Sequence, residues 1–418
     1  IITILLFVIV LLVLFTPRIL GFITKDIGPI DDTDLALEKV IIPDTENGYF
    51  DLVKIDKVIY SPKEKITLIN QISDGKVWDE AFVTELLSKN EEALKYFSDA
   101  SKKPHLQYPA EADPANLSPD LVLPSLSNWR AMSRISSIKS LSLARNGKTT
   151  EAIEESLNSV RIGQKIQDSN IILIEYLVAT AMKTTGLRTT QQIISISNLS
   201  LAETKANIQE LEQYLNNEDG IATSFKSEYA VHSQSIIKPG YLTSDFSDED
   251  VSVPQQELGG LSVLEFNNKL DNNYYFRKNE TQLLFADHAR LRVKNAYDSC
   301  GENPAEPTRL FTKSGPIKIY FEENIIGKIL RDTVAVSLNT VNVKKCEEQA
   351  LVAATQTLFA LKAYKDAMKR LPNALEELIP TYIFSVPIDP FDKKPLKYSL
   401  ADKKIYSVHA SSTFPIGF

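Results

Sequence analysis

The residue types that carry chemistry are sparse and widely spaced. His105, His232, His288 and His409 stand far apart in the chain, and no His-Glu-x-x-His helix or Cys-x-x-Cys pair gathers ligands for a metal. Ser-x-x-Lys, in which a lysine takes the proton of a serine nucleophile, occurs at Ser136 with Lys139 and at Ser235 with Lys238, but its companion motifs are missing. There is no glycine-rich phosphate loop and no Gly-x-Ser-x-Gly elbow. An acidic loop over 241–262 carries Asp245, Asp248, Glu249 and Asp250; it lacks the ligand register and the glycine of a calcium loop and reads as solvated. Glu154 and Glu155 are expected on a solvated helix face. The most unusual short motif outside the C-terminal tail is Glu46-Asn47-Gly48-Tyr49-Phe50. Asn47 and Tyr49 either line a groove or, more simply, fix a turn and plug the edge of a core. These patterns point to no catalytic residue, no cofactor and no metal.

The elements that must position such residues follow from size and pattern. A chain of 418 residues exceeds one ordinary core, so two or three folded units are expected. Acidic residues outnumber basic ones, 54 to 46, for a net charge of −8; nucleic acid, which needs a basic footprint, is excluded as a partner. Cys300 and Cys346 are too few for a disulfide scaffold and lack metal spacing. They pair if the compartment is oxidising and otherwise stay as two buried thiols.

The N-terminal run IITILLFVIVLLVLF is almost wholly apolar and carries no charge, and TPRILGFI extends it with one Arg18. A helix over 1–23 is about 35 Å long, enough for a hydrocarbon core of ~30 Å. No small-x-small cleavage pattern follows, so a single-pass transmembrane anchor is expected, with the remainder outside the cytoplasm. The expected partners are the lipid bilayer, through residues 1–23, and other envelope proteins or further copies of the chain. The segment IILIEYLVATAM contains Glu175 and is too short to span; it reads as a buried soluble helix.

Residues 24–78 are expected to form a linker and an irregular lead-in with short β-rich pieces. A helical domain follows over 79–240, the acidic loop over 241–262, and a second helical region over 263–372. Phe82, Leu86, Leu94 and Phe97 share one stripe, read as one helix from Asp79. Gly147 stops one helix, and Thr149 or Thr150 caps the next. That αα-hairpin, over 125–168, resembles one tetratricopeptide unit, with no second copy at the repeat period. Ser200 and Glu203 have the form of a capping box. Leu351, Ala354, Leu358, Leu361, Tyr364, Met368 and Leu371 form an apolar stripe on a long last helix. Next, Asn373 can cap a short helix that Pro380 ends. Two strands around the turn ADKK are then expected to cover the stripe. The fold class is thus mainly α, with a small C-terminal β ribbon over 373–418 packed on a long helix.

The tail resembles the C-terminal part of the major pseudopilins of type II secretion, which place a proline-led turn, a Val-Pro-x-Asp-Pro segment and a Tyr-Ser strand after a long helix. The matching residues include Pro372, Pro380, Pro387, Asp389, Pro390, Tyr398, Tyr406 and Ser407. In that family an acidic loop after the last strand helps to hold calcium; here the loop HASSTFPIGF has no acidic residue. More broadly, the order of ENGYF, the hairpin, ENIIGKIL and the tail resembles a group of bacterial envelope proteins of the planctomycete type. That resemblance implies one N-terminal membrane helix, a long helical domain and this tail, and no reaction.

The function expected is that of a membrane-anchored, non-enzymatic envelope protein. It would act as a scaffold or partner-binding subunit at the bacterial inner membrane, with its main domain in the periplasm or outside the cell. Two alternatives stand beside it. A pilin-like filament subunit is supported by the tail and opposed by Leu5, where pilins carry Glu. The other is an envelope hydrolase with an unrecognised site.

Overall fold

The computed structural model describes residues 15–16, 19–118, 121–215, 218–237, 272–297, 300, 309–310, 321–335, 339–409 and 412–418. Most of the expected anchor, residues 1–14 and 17–18, and all of the acidic loop 241–262 lie outside them, as does Lys238. Among the described residues no helix is long and apolar enough to cross a membrane.

The architecture is mainly helical, with one small antiparallel sheet near the C-terminus. The lead-in is a correction to the β-rich expectation. It folds as two helices, α1 (Tyr49–Val58) and α2 (Ile66–Ser73). Its aliphatic residues fall at helical spacing: Leu52 with Ile55, and Ile69 with Ile72, bury one face of each helix, and that burial outweighs strand propensity. The single helix expected from Asp79 is two, α3 (Glu80–Lys89) and α4 (Glu91–Lys102). Asn90 breaks the run by bonding elsewhere. Its Oδ1 accepts from Tyr60 N–H at 2.9 Å, and its Nδ2 donates to Tyr60 O and Leu86 O, both at 2.9 Å.

The hairpin forms as expected from α5 (Leu126–Arg145) and α6 (Thr149–Gln167). Gly147 takes φ +75° in the turn, a conformation that costs glycine little. Thr149 and Thr150 do not cap: Lys148 holds the cap position without a side-chain bond, and the Thr150 hydroxyl donates to Glu203 at 2.7 Å. Then come α7 (Leu173–Ile196), α8 (Leu201–Glu212), α9 (Glu218–Ile237) and α10 (Lys278–Tyr297). The Ser200–Glu203 capping box is present at the start of α8.

The last helices are α11 (Ile325–Ala335) and α12 (Asn339–Met368). The apolar stripe is a partial description of α12: every residue from 351 to 364 is buried, so the helix is enclosed on all sides there, whereas Met368 is 56% exposed. The threonines and glutamine of that enclosed stretch are satisfied inside the core. Thr355 and Thr357 bond back to Leu351 O and Ala353 O at 2.7 and 2.9 Å, and Gln356 donates to Ile208 O at 3.1 Å. This is the condition for burying them cheaply. Cys300 and Cys346 are disulfide-bonded, with Cα atoms 5.8 Å apart, tying the segment after α10 to the first half of α12.

The tail covers α12. A 3₁₀ turn at Leu375–Leu378 replaces the short helix, and Asn373 does not cap it; instead Asn373 N–H donates to Glu377 at 2.7 Å. The ribbon has three strands, β1 (Lys397–Ser399), β2 (Lys404–Tyr406) and the unanticipated β3 (Thr413–Pro415), in the order β1-β2-β3. Leu375, Leu378, Tyr382, Phe391, Leu396, Ile405 and Phe414 join Leu351, Leu358 and Leu361 in one hydrophobic cluster.

Candidate functional site, an arginine-lined cleft

The motifs singled out in the sequence resolve into structural roles. Asn47 is buried and bridges two chain segments. Its Nδ2 donates to Gln107 O at 2.8 Å, and its Oδ1 accepts from Gln107 N–H at 3.0 Å and Tyr49 N–H at 3.1 Å. Glu46 is exposed and contributes only its backbone, whose carbonyl accepts from His105 N–H and whose N–H donates to Pro43 O. Tyr49 stacks near Tyr108 and meets the edge of Trp129. The motif therefore fixes a turn and seals a core edge.

Ser136 and Lys139 meet neither each other nor a cleft as a catalytic pair. Both bind Glu155, through the Ser136 hydroxyl at 2.8 Å and Lys139 Nζ at 2.7 Å. The lysine is engaged by this carboxylate instead of the serine, and Ser136 is fully buried. Glu155 is thus not on a solvated face, as expected, but buried beneath this contact; Glu154 is exposed and pairs with Arg161. Among the described residues no group of His, Cys, Asp and Glu could hold a metal ion. In the tail, Tyr398 OH donates to Pro372 O at 2.9 Å, Leu396 N–H to Pro387 O at 3.0 Å, and Asp389 and Pro390 are buried, whereas Pro380 is exposed and Tyr406 half-buried. None of these residues converges with Asn47 or with the cysteines on a common site.

The convergence that exists was not legible from motifs. A cavity of about 900 Å³ opens where α2, α5, α7, α12 and β3 meet. Arg130 and Arg134 enter from α5, Arg188 from α7 and Lys344 from α12, with Lys76 from the loop after α2. Asn70, Ser73, Thr180, Thr184, Thr185 and Gln192 supply neutral polar groups. Three carboxylates also line it, and each has its own lysine. Asp74 pairs with Lys76 at 2.7 Å, Glu347 with Lys344 at 2.7 Å, and Glu348 with Lys183. Arg130, Arg134 and Arg188 have no carboxylate within ion-pair distance among the described residues. Burial and the Arg130 guanidinium one turn away hold Arg134 below the ordinary arginine range.

The floor of the cleft is a buried ion pair. Lys183 is 0% exposed and Glu348 2% exposed. The ammonium bonds Glu348, Gln164 Oε1 at 2.6 Å and Gln167 Oε1 at 2.9 Å, so all three of its donors are used. Gln167 Nε2 donates in turn to Glu348 Oε2 at 2.9 Å. Gly163 makes room: a Cβ there would stand 2.5 Å from Lys183 Cγ and 2.7 Å from Ala179 O. Sequence offered one signal, a single lysine in a helix rich in apolar residues and threonine. For the arginines the signal was an Arg130–Arg134 pair at i,i+4 with no acid between them.

A second buried group lies apart from the cleft. Glu111 is fully buried and neither of its carboxyl oxygens has an N–H or O–H donor. The buried Glu175 carboxyl lies close enough for each acid to influence the protonation of the other. Burial, then the Glu175 charge, pushes Glu111 well above the ordinary carboxylate range. Burial, followed by Tyr108 and nearby carboxylates, raises Tyr49 to about 12.

Comparison with protein-family models, with curated proteins and with solved structures finds no match.

Proposed function

We propose that this chain is a membrane-tethered, non-enzymatic protein of the bacterial envelope whose helical body acts outside the cytoplasm as a scaffold or partner-binding subunit. The observation that carries the reading is the Cys300–Cys346 bond, because disulfides persist where thiols are not kept reduced. The uncharged apolar run at 1–15 supports the tether. Protease added to intact spheroplasts is expected to digest the chain beyond about residue 25, and non-reducing peptide mass spectrometry to recover Cys300 linked to Cys346. Full protection from protease, or two free thiols in material from native membranes, would overturn the reading.

The pilin-like reading keeps one observation in its favour, an antiparallel ribbon laid over a long helix and closed through Asp389 and Ser407. Negative-stain microscopy of purified chain separates filaments from particles.

A further inference from the structure

We propose that the cleft between α2, α5, α7 and α12 binds a small organic polyanion, a molecule bearing two or more phosphate or carboxylate groups, through Arg130, Arg134 and Arg188. The inference goes beyond the proposed envelope role and does not depend on the tether or the compartment.

The argument is one of charge, geometry and size. Each carboxylate of the cleft is matched by a lysine, through Asp74–Lys76, Glu347–Lys344 and Glu348–Lys183. The three arginines are left as an uncompensated excess of positive charge in a chain whose net charge is −8. Arg130 and Arg134 sit one turn apart on α5, where like charges repel. Holding three guanidinium groups around one cavity costs stability unless something negative occupies it. Acidic side chains are abundant in this chain, yet none forms an ion pair with these arginines among the described residues; Asp74 acts on Arg134 only as a nearby charge, and it is already paired with Lys76.

Guanidinium is suited to this task. Its planar fork donates two parallel N–H groups to one phosphate or carboxylate, and it stays charged when partly desolvated. The neutral wall adds hydroxyl and amide groups from Ser73, Thr184, Thr185 and Gln192. Asn70 Oδ1 is buried with no hydrogen-bond partner, which leaves an acceptor for a ligand hydroxyl. A volume of about 900 Å³ far exceeds one inorganic phosphate and matches a small organic ligand. Three forks on two helices call for more than one anionic group.

The test uses the full chain in non-ionic detergent, with pyrophosphate and citrate as probes and sodium chloride at matched ionic strength as control. Ligand that binds only the folded state raises Tm with concentration. Pyrophosphate or citrate at millimolar concentration is expected to raise Tm above the chloride control. Arg134→Gln and Arg188→Gln are each expected to weaken binding by about tenfold or more in calorimetric titration, the loss of one charge-assisted contact. Without ligand, Arg134→Gln should melt no lower than the parent, because it relieves repulsion. Lys39→Gln, on the exposed side of an ion pair outside the cleft, should leave binding unchanged. No shift above chloride with either probe, equal binding in both arginine variants, or a ligand-free Arg134→Gln chain that melts well below the parent would each overturn the proposal.

Discussion

The Ser407 hydroxyl donates to Asp389 Oδ1 at 2.9 Å across eighteen residues of sequence. The same carboxylate accepts Val408 N–H at 2.8 Å and Phe391 N–H at 3.0 Å, and Asp389 is 1% exposed. One buried side chain therefore holds the turn before β1 against the end of β2, and with it the lid over α12. Asp389→Ala strands these donors in a closed environment and is expected to cost about 2–4 kcal/mol. Asp389→Asn keeps an acceptor oxygen and should cost less. Urea unfolding followed by tryptophan fluorescence and far-UV circular dichroism measures both, and an unchanged midpoint in Asp389→Ala would show that the clamp contributes nothing.

Lys183 and Glu348 call for a different comparison. Both are buried, and Gln164 and Gln167 complete their bonds. Removing one partner leaves the other as an unpaired charge in the core, so Lys183→Met or Glu348→Leu alone is expected to cost about 3–5 kcal/mol. The double variant leaves no charge behind and should recover a large part of that loss. A double variant whose loss equals the sum of the two singles would mean that the pair is not coupled.

Local signals reached some of this architecture and long-range ones did not. Gly147 and the Ser200–Glu203 box act within one turn of helix, and both features stand where their residue types place them. The tail could be read because prolines and a period-two pattern announce turns and strands close together. The break at Asn90 was hidden, since its cause is a bond to Tyr60, thirty residues away. Strand β3 owes its existence to pairing of Phe414 with Ile405 rather than to its own composition. Glu155 reads as a surface residue in sequence because its partners, the buried Ser136 and the half-buried Lys139, lie on the preceding helix. The cleft is the extreme case. Its arginines lie on two helices and its acids on two further segments, and only the packing of α2, α5, α7 and α12 reveals which charges cancel.

The Glu111–Glu175 pair makes stability depend on pH with a definite sign. Burial and the Glu175 charge, with Glu228 adding to the same effect, raise Glu111 well above its ordinary value of 4.5 in the fold. Below the ordinary value both folded and unfolded chains hold the proton. Between the two values the unfolded chain releases it and the folded chain keeps it. Stability therefore falls as pH rises, by about 1.4 kcal/mol per pH unit for one proton. Glu111→Gln supplies an amide donor to Glu175 and has no proton to lose. Urea midpoints measured from pH 5.5 to 8.5 are expected to fall more steeply for the parent than for Glu111→Gln, with the variant gaining an advantage that widens with pH. Parallel profiles would show that the fold does not hold the proton of Glu111.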